Sequence, residues 1–459
     1  MVTQTLPDGT ALAGEVTDLL SHLIRNACVN DGRAESGDEH RSVDVLRQYL
    51  TADSAGRGMD VEIFEPTPGR QSLVARIEGR RADAPTLMLM GHTDVVPVSP
   101  EGWQRDPFGG EVVDGEVWGR GAVDMLNLTS SMAVAFKHLA EAGFRPDGTL
   151  IYLAVADEEA GGDHGAKHLV EHELDAVRAD YMITESGGIV TRTPSGPKVT
   201  VHVGEKGAHW VRLHVAGTPG HGSRPLRTDN ALVKAARIVD RFASHHPKAQ
   251  IGDVWRRFVD GMEFPPAIRD EVLDPDRVWD FVHESPRLQL ARHAHACTHT
   301  TISPNVIHGG VKTNVIPDQV AIDVDIRTLP GQTEAEIDTM IAEIIGPDLV
   351  GDVRVELIHY SEPSSSPMDT PLWDALAGVT QRLVPGAALI PGLIVGGTDA
   401  RFFRAAGTVS YGFGLFSERL TSDRYASMFH GHDERIDVDS LALTTDLWLN
   451  LAPSLLGGR

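Results

Sequence analysis

The chain has 459 residues, more than one simple core supports, so two domains are expected; 41% hydrophobic content and a mean hydropathy of -0.15 exclude a disordered chain. A formal charge of -24 and a pI near 5.2 exclude nucleic acid and anionic membrane surfaces as partners. No apolar run approaches the ~20 residues of a membrane span, the polar start shows no secretory signal, and Cys28 and Cys297 form no disulfide framework, so a cytoplasmic protein is expected.

Leu12, Val16, Leu19, Leu20, Leu23 and Ile24 recur at helical spacing over 11–30, and a second helix is expected over 41–51. Gly- and Asp-rich turns lead into alternating strands at 61–64 and 72–77. Residues 87–97, LMLMGHTDVVP, open as a buried-strand run, stop at Gly91 and present His92 and Asp94. Residues two apart share a face of an extended chain, so this imidazole and carboxylate point the same way. A carboxylate so placed orients a metal-binding imidazole and raises its basicity. Taken alone, a loop histidine in an ordinary ion pair fits His-x-Asp as well. A loop over 99–108 follows, then GRG before Asp124, then a helix over 125–142. Residues 149–155 form an apolar strand ended by ADEE at 156–159; 165–172 reads as helix and 181–185 as a short strand ending in Glu185.

Strands alternating with helices imply a largely parallel sheet, which binds ligands at the carboxyl ends of its strands. His92, Asp94, Glu158, Glu159 and Glu185 all follow apolar strands, and Asp124 opens a helix. Their shared placement brings them to one point, where gathered carboxylates repel severely without a cation.

Past Pro197 the pattern changes. Alternating strands are expected at 198–202, 208–215, 320–327 and 353–358, with a glycine-rich turn at 217–223 and helices at 229–242 and 334–345. Long strands with one solvated face suggest a separate open α+β sandwich at about 205–360. Residues 245–299 read as an irregular insertion with some helix, as at 276–283. Its tract HAHACTH at 293–299 has the composition of a metal-binding tail and equally suits a strand with incidental histidines. It is assigned no role. SEPSSSP at 361–367 marks the return to the first domain, which thus spans 1–204 and 361–459. That return carries a helix at 371–383, VGGTDAR at 395–401, a strand at 408–413, FHGHDER at 429–435 and a last helix at 440–456. No internal repeat is evident.

Five blocks in order, GHTDVVP, GRGAVDM, ADEEAGG, TESGG and HGHDER, resemble the dinuclear-zinc peptidase and deacylase family. That family includes aminoacylase, acetylornithine deacetylase, succinyl-diaminopimelate desuccinylase and carboxypeptidase G. The resemblance covers nearly the whole chain. It implies a mixed, largely parallel α/β catalytic domain flanked by helices, with an inserted α+β lid and dimerisation domain, and hence a homodimer. It also implies two divalent ions, zinc or else cobalt or manganese. His92 and Glu185 would ligate one, Glu159 and His430 the other, and Asp124 would bridge them. Asp94 would hydrogen-bond His92, and Glu158 would be the general base. The family pattern places the last histidine four residues before a glutamate, which selects His430 ahead of Glu434 over His432. A cis peptide is implied at Asp124-Met125.

The resemblance further implies that His221 stabilises the oxyanion, often across a dimer, that Asn314 and Arg327 lie near the substrate with the arginine fork suited to its carboxylate, and that backbone amides of the turn at Gly397 and Thr398 also grip that carboxylate. A turn histidine, a β-turn asparagine, a strand-edge salt bridge and a simple turn also account for these residues. Two departures stand out: Leu126-Asn127 where many relatives have Lys-Gly, and the long 245–299 insertion. The implied activity is metal-dependent hydrolysis of an amide next to a free carboxylate, in an N-acyl amino acid or small peptide. In the family, glutamate at the position of Glu185 accompanies deacylases and carboxypeptidases, and aspartate accompanies aminopeptidases and dipeptidases. A dipeptidase, which needs a free substrate amine, is the alternative. A silent binding protein on this scaffold would have lost Glu158 or a ligand, and none is lost. A serine esterase would need a Gly-x-Ser-x-Gly elbow, which is missing.

Overall fold

In the computed structural model, which describes residues 9–52 and 58–458, the apolar runs become the centre of a sheet. The strands Leu87–His92 and Leu150–Val155 are buried at every position, as strands covered on both faces must be. Among the described residues the sheet runs Asp60–Phe64, Ser72–Ile77, Leu150–Val155, Leu87–His92, Tyr181–Thr184, Val409–Gly412, Gly196–Glu205. The strands from Leu150–Val155 to Val409–Gly412 pair in parallel, and the flanking strands pair antiparallel. The alternation of strands and helices anticipated the parallel centre, and the family resemblance implied the mixed sheet around it.

Parallel register decides where the chemistry lands. His92 lies beside Val155, so both strands end at the same edge and deliver His92, Asp94, Glu158 and Glu159 together. Tyr181–Thr184 runs parallel to Leu87–His92 and hands Glu185 to that edge. The helix Leu126–Glu141 packs on the strand that carries His92 because Gly91 has no side chain. A Cβ there would stand 2.4 Å from Thr129 Oγ1. Thr129 uses the approach to donate a hydrogen bond to the His92 carbonyl at 2.8 Å. Gly9–Asn26 and Val438–Leu456 pack with that helix, and Trp448 Nε1 donates to Ser131 Oγ at 3.0 Å. On the opposite face, Met88, Met90, Ile151 and Leu153 meet Leu169, Val177 and Phe403 in one apolar cluster.

The chain forms two compact units, Met1–Val203 with Ser366–Gly392 and Thr398–Arg459, and Gly204–Ser365 with Leu393–Gly397. The second unit holds an antiparallel sheet in the order Thr301–Gly309, Gln319–Thr328, Gly207–Ala216, Val353–Ser361. The helices Ala231–Ser244 and Glu334–Ile345 cover one face, where Val211, Leu213, Ile322 and Val324 meet Ile238, Phe242 and Ile341. Thr333 and Glu336 close a reciprocal cap at the start of the second helix. The strand Thr301–Gly309 was not anticipated. It is an edge strand, mostly exposed, broken by Pro304 and a register shift, so it shows little alternation.

The region expected to be irregular with some helix carries the helix anticipated at 276–283, as Val278–Glu284, and three more that were not, Asp253–Gly261, Pro266–Val272 and Leu288–Thr298. They share a core of Trp255, Val259, Val272, Phe281, Ala291, Ala294 and Cys297. The HAHACTH tract lies in the last helix and at its end, so it is not a strand. Ala291, Ala294 and Cys297 repeat every third residue and face inward. The imidazoles of His295 and His299 pack on Trp279 at 5.1 and 4.5 Å between ring centres. Neither belongs, among the described residues, to a group able to share an ion. Among those residues no helix is long and apolar enough to cross a membrane.

Candidate metal centre

His92 closes its strand with its ring buried. Its Nδ1 lies 3.0 Å from the Asp94 backbone carbonyl and 3.5 Å from Asp94 Oδ1. A carbonyl only accepts, so this contact places a proton on Nδ1 and turns Nε2 toward the strand edge. There Nε2 lies 3.2 Å from Asp124 Oδ1. The main-chain oxygen of Asp94 is thus a nearer partner of the ring than the carboxylate anticipated from the sequence.

Asp124 reaches the site from the loop before Leu126–Glu141, and its peptide bond to Met125 is cis. The loop is clamped by Glu434, a fully buried residue whose Oε1 accepts hydrogen bonds from Val123 N at 2.7 Å and Asp124 N at 3.0 Å. Its Oε2 accepts from Arg120 Nη1 at 2.7 Å, and Arg120 Nη2 donates to the His430 carbonyl at 3.3 Å. Glu434 therefore ties the two chain segments that carry Asp124 and His430. From the sequence it was only a marker that selected His430. Asp124 Oδ2 lies 3.0 Å from His430 Nε2, which is also 3.3 Å from Glu159 Oε2. His432 turns away to the loop at Gly102, where a Cβ would meet its ring at 2.3 Å.

Glu158 and Glu159 sit on a single turn, Glu158–Ala160, entered through Asp157 in a left-handed conformation with φ 72°. Each oxygen of Asp124 faces a different imidazole. The result is two groups, His92 with Asp124 and Glu185, and Asp124 with Glu159 and His430, each with ligand atoms within 4.8 Å of one another.

The electrostatics are severe. Burial, then Glu185, raises the Glu158 carboxyl well above the usual range. Burial, then Asp124, does the same to Glu185 and pushes Glu159 up to about 7. Hydrogen bonds to Asp124 and Glu159 push His430 up to about 10. For His92, burial opposes the charge, but Asp124 and Asp94 outweigh it and raise its pKa. Burial also works against the Asp124 charge, and the two imidazoles hold its pKa below the usual range. Glu159 Oε1 is buried with no hydrogen-bond partner among the described residues. Carboxyls pressed toward protonation, an orphan oxygen and a mixed imidazole–carboxylate set all suit divalent cations.

Residues 88–454 match the sequence profile of Peptidase family M20/M25/M40. The chain belongs to this family. It is a metal-dependent hydrolase of amide bonds. It is 26% identical over 439 residues to aminoacylase-1 of Mus musculus, covering 91% of this chain and 96% of that protein. It is 28% identical over 397 residues to N-fatty-acyl-amino acid synthase/hydrolase PM20D1 of Xenopus tropicalis, covering 83% and 75%. The fold is similar to that of the M20 family metallo-carboxypeptidase Sso-CP2 from Sulfolobus solfataricus, with TM-score 0.68, 18% identity and coverage of 96% and 99%.

The site residues expected from the family motifs divide between the units. His92, Asp94, Asp124, Glu158, Glu159, Glu185 and His430 lie in the first unit, with Thr398. Thr398 is buried and its Oγ1 accepts from Ala400 N at 3.2 Å. His221, Asn314, Arg327 and Gly397 lie in the second unit. There His221 pairs with Val315 in a short ribbon, and Gly222 N donates to the Asn314 carbonyl at 2.8 Å. Ser223 N donates to His221 Nδ1 at 3.1 Å. Arg327 is held by Asp325, Nε to Oδ1 at 2.8 Å, with its guanidinium 5.1 Å above the Trp210 ring.

Proposed function

We propose that this chain hydrolyses an amide bond next to a free carboxylate, in an N-acyl amino acid or a short peptide, using two zinc ions. His92 and Glu185 hold one ion in this reading, Glu159 and His430 the other, and Asp124 bridges them. The observation that carries it is Asp124, whose two oxygens face one imidazole each. Cobalt and manganese fit the same donors. Bound ions polarise the substrate carbonyl and acidify water.

Glu158 takes the proton from the attacking water on a carboxylate oxygen and passes it to the leaving amine. Its pKa, raised by burial and then by Glu185, supports this, because a carboxylate held above its usual range is a stronger proton acceptor. Asp94 keeps the His92 proton on Nδ1, which leaves Nε2 free to ligate. A backbone N–H on His221 Nδ1 leaves the ring proton on Nε2, so His221 can donate to a developing oxyanion. The Arg327 fork, oriented by Asp325 and Trp210, takes the substrate carboxylate together with Asn314, Gly397 and Thr398. Likeness to proteins named for N-acyl amino acid chemistry supports a deacylase. A lid and homodimer contact in the inserted domain, 205–360, and a cytoplasmic setting complete the proposal.

The test is a hydrolysis screen of N-acyl amino acids, peptides with free carboxyl termini and dipeptides, with zinc, cobalt or manganese. Turnover of N-acyl amino acids is expected, lost on chelation and restored by metal. Turnover confined to dipeptides with a free amine would make the enzyme a dipeptidase. Activity untouched by chelators would end the metal-centre reading.

A further inference from the structure

Behind the metal centre lies a buried polar network of which the chemistry above uses only Asp94. It begins in residues 28–39, past Asn26, where the helix expected over 11–30 has ended. Val29 forms a parallel bridge with Val95, and Asn30 N donates to the Val95 carbonyl at 2.9 Å. This zips the segment to the loop that follows His92. Asn30 Nδ2 then donates to Asp94 Oδ2 at 2.9 Å and to Asp157 Oδ1 at 3.1 Å. Asn30 Oδ1 accepts from Arg70 Nη2 at 3.2 Å. Carboxylates only accept and a guanidinium only donates, so the amide can point one way only. Aspartate in its place would add a third acceptor against two carboxylates, and alanine would leave both short of a donor.

Arg70 is anchored in turn. Its Nη1 donates to Glu39 Oε1 at 2.7 Å and lies 3.5 Å from Asp157 Oδ1. Gly37, at φ 93°, makes the room, since a Cβ there would stand 2.0 Å from Arg70 Nη1. Asn30, Glu39, Arg70, Asp94 and Asp157 are all buried.

The network touches the backbone that aims the metal centre. Asp157 holds the left-handed turn into Glu158 and Glu159. Its N–H donates to Glu39 Oε1 at 3.2 Å, and its Oδ2 accepts from His164 N at 2.8 Å. Asp94 Oδ2, the oxygen that Asn30 grips, also accepts from Glu159 N at 3.1 Å. A left-handed non-glycine residue persists only where its surroundings over-determine it. Here every polar group of Asp157 within reach of the network is engaged.

We propose that Asn30, held in place by Arg70, is a positioning residue of the metal centre. It fixes the Asp94 carboxylate and the Asp157 turn, and through them the His92 imidazole and the Glu158–Glu159 pair. This rests on the metal-centre reading and goes one layer beyond it. Outer partners of metal ligands commonly set affinity by 10–100-fold.

The test compares full-length wild type with Asn30→Ala, Arg70→Met, Arg70→Lys and His92→Ala. Each is stripped with a chelator and titrated with Co2+, followed by calorimetry and by visible absorption. Asn30→Ala and Arg70→Met are expected to lower Co2+ affinity by about 10–100-fold and to shift the visible band. With Zn2+ saturating, kcat falls and KM stays. Arg70→Lys keeps the charge beside Glu39 but loses the N–H to Asn30, and falls between wild type and Arg70→Met. A purely structural role would lower the melting temperature and leave Co2+ affinity and spectrum unmoved, which would overturn the proposal. If Asn30→Ala does not fold, Arg70→Lys decides by the same readouts. Should His92→Ala also bind Co2+ like wild type, the metal-centre reading itself fails. Should His92→Ala lose Co2+ while Asn30→Ala and Arg70→Lys match wild type, only the positioning role fails.

Discussion

Glu434→Gln is the substitution that best separates a clamp from a bystander, because it preserves shape and removes only charge. The Glu434 and Arg120 side chains are 0% and 3% exposed, and their contact is 2.7 Å. Glutamine can keep its oxygen on the Val123 and Asp124 amides, but its NH2 then faces the Arg120 guanidinium, donor against donor. Turned the other way, it satisfies Arg120 and strands two buried backbone N–H groups. Either orientation leaves part of a buried pair uncompensated, which typically costs ~3–5 kcal/mol. Two retained amide bonds, together with a carboxyl that burial already raises, place the expected loss near the bottom of that range. For a urea dependence of ~3 kcal/mol/M, ~3 kcal/mol moves the midpoint of the unit's transition by about 1 M. Urea unfolding followed by circular dichroism measures it on the metal-free protein. Because Asp124 N is one of the clamped groups, Co2+ affinity is expected to fall with stability, about tenfold or more. An unchanged midpoint and unchanged affinity would refute the clamp.

Further outcomes follow from the site. Glu158→Ala is expected to keep its metal and lose hydrolysis by ~10²–10⁴-fold; near-normal turnover would remove it as the general base. His430→Ala is expected to lose metal while His432→Ala keeps it, as read by metal analysis after dialysis. The reverse pattern would exchange their roles. Ion binding is also expected to release protons. Glu159 rises from 4.5 to about 7 and His430 from 6.5 to about 10 in the folded, metal-free protein. Folded values above the unfolded ones stabilise the fold fully below the unfolded pKa, and that stability is lost as pH rises through the folded pKa. The metal-free enzyme should therefore lose stability between pH 4.5 and about 7 through Glu159, and between 6.5 and about 10 through His430. At pH 7 an incoming ion displaces the protons still held there. Calorimetry in buffers of different ionisation enthalpy counts them, and a count of zero at pH 7 would contradict the assignment.

What could be read in advance was whatever leaves a local mark. An apolar run followed at once by His92, or by Glu158 and Glu159, marks a strand end, and parallel pairing then gathers those ends with no further information. The helices Glu334–Ile345 and Pro371–Leu383 were read to the residue because their apolar spacing and N-terminal caps are local too. The insertion shows how composition can hide spacing. Histidines drew attention in the 293–299 tract, while Ala291, Ala294 and Cys297 carried its helical period. Buried polar residues away from strand ends leave far less of a local mark. Asn30 finds its partners 64 and 127 residues away, and Glu434 finds Val123 and Asp124 more than 300 residues back. In isolation Asn30 suits a turn and Glu434 a surface. Their burial becomes intelligible only when the sheet edge brings carboxylates and amides that need a partner, and such a partner is costly to omit. Motifs therefore pointed to the candidate ligands, of which His92, Glu159 and Glu185 follow strands while Asp124 and His430 come from loops beside helices. The residues that hold those ligands still had to be found in three dimensions.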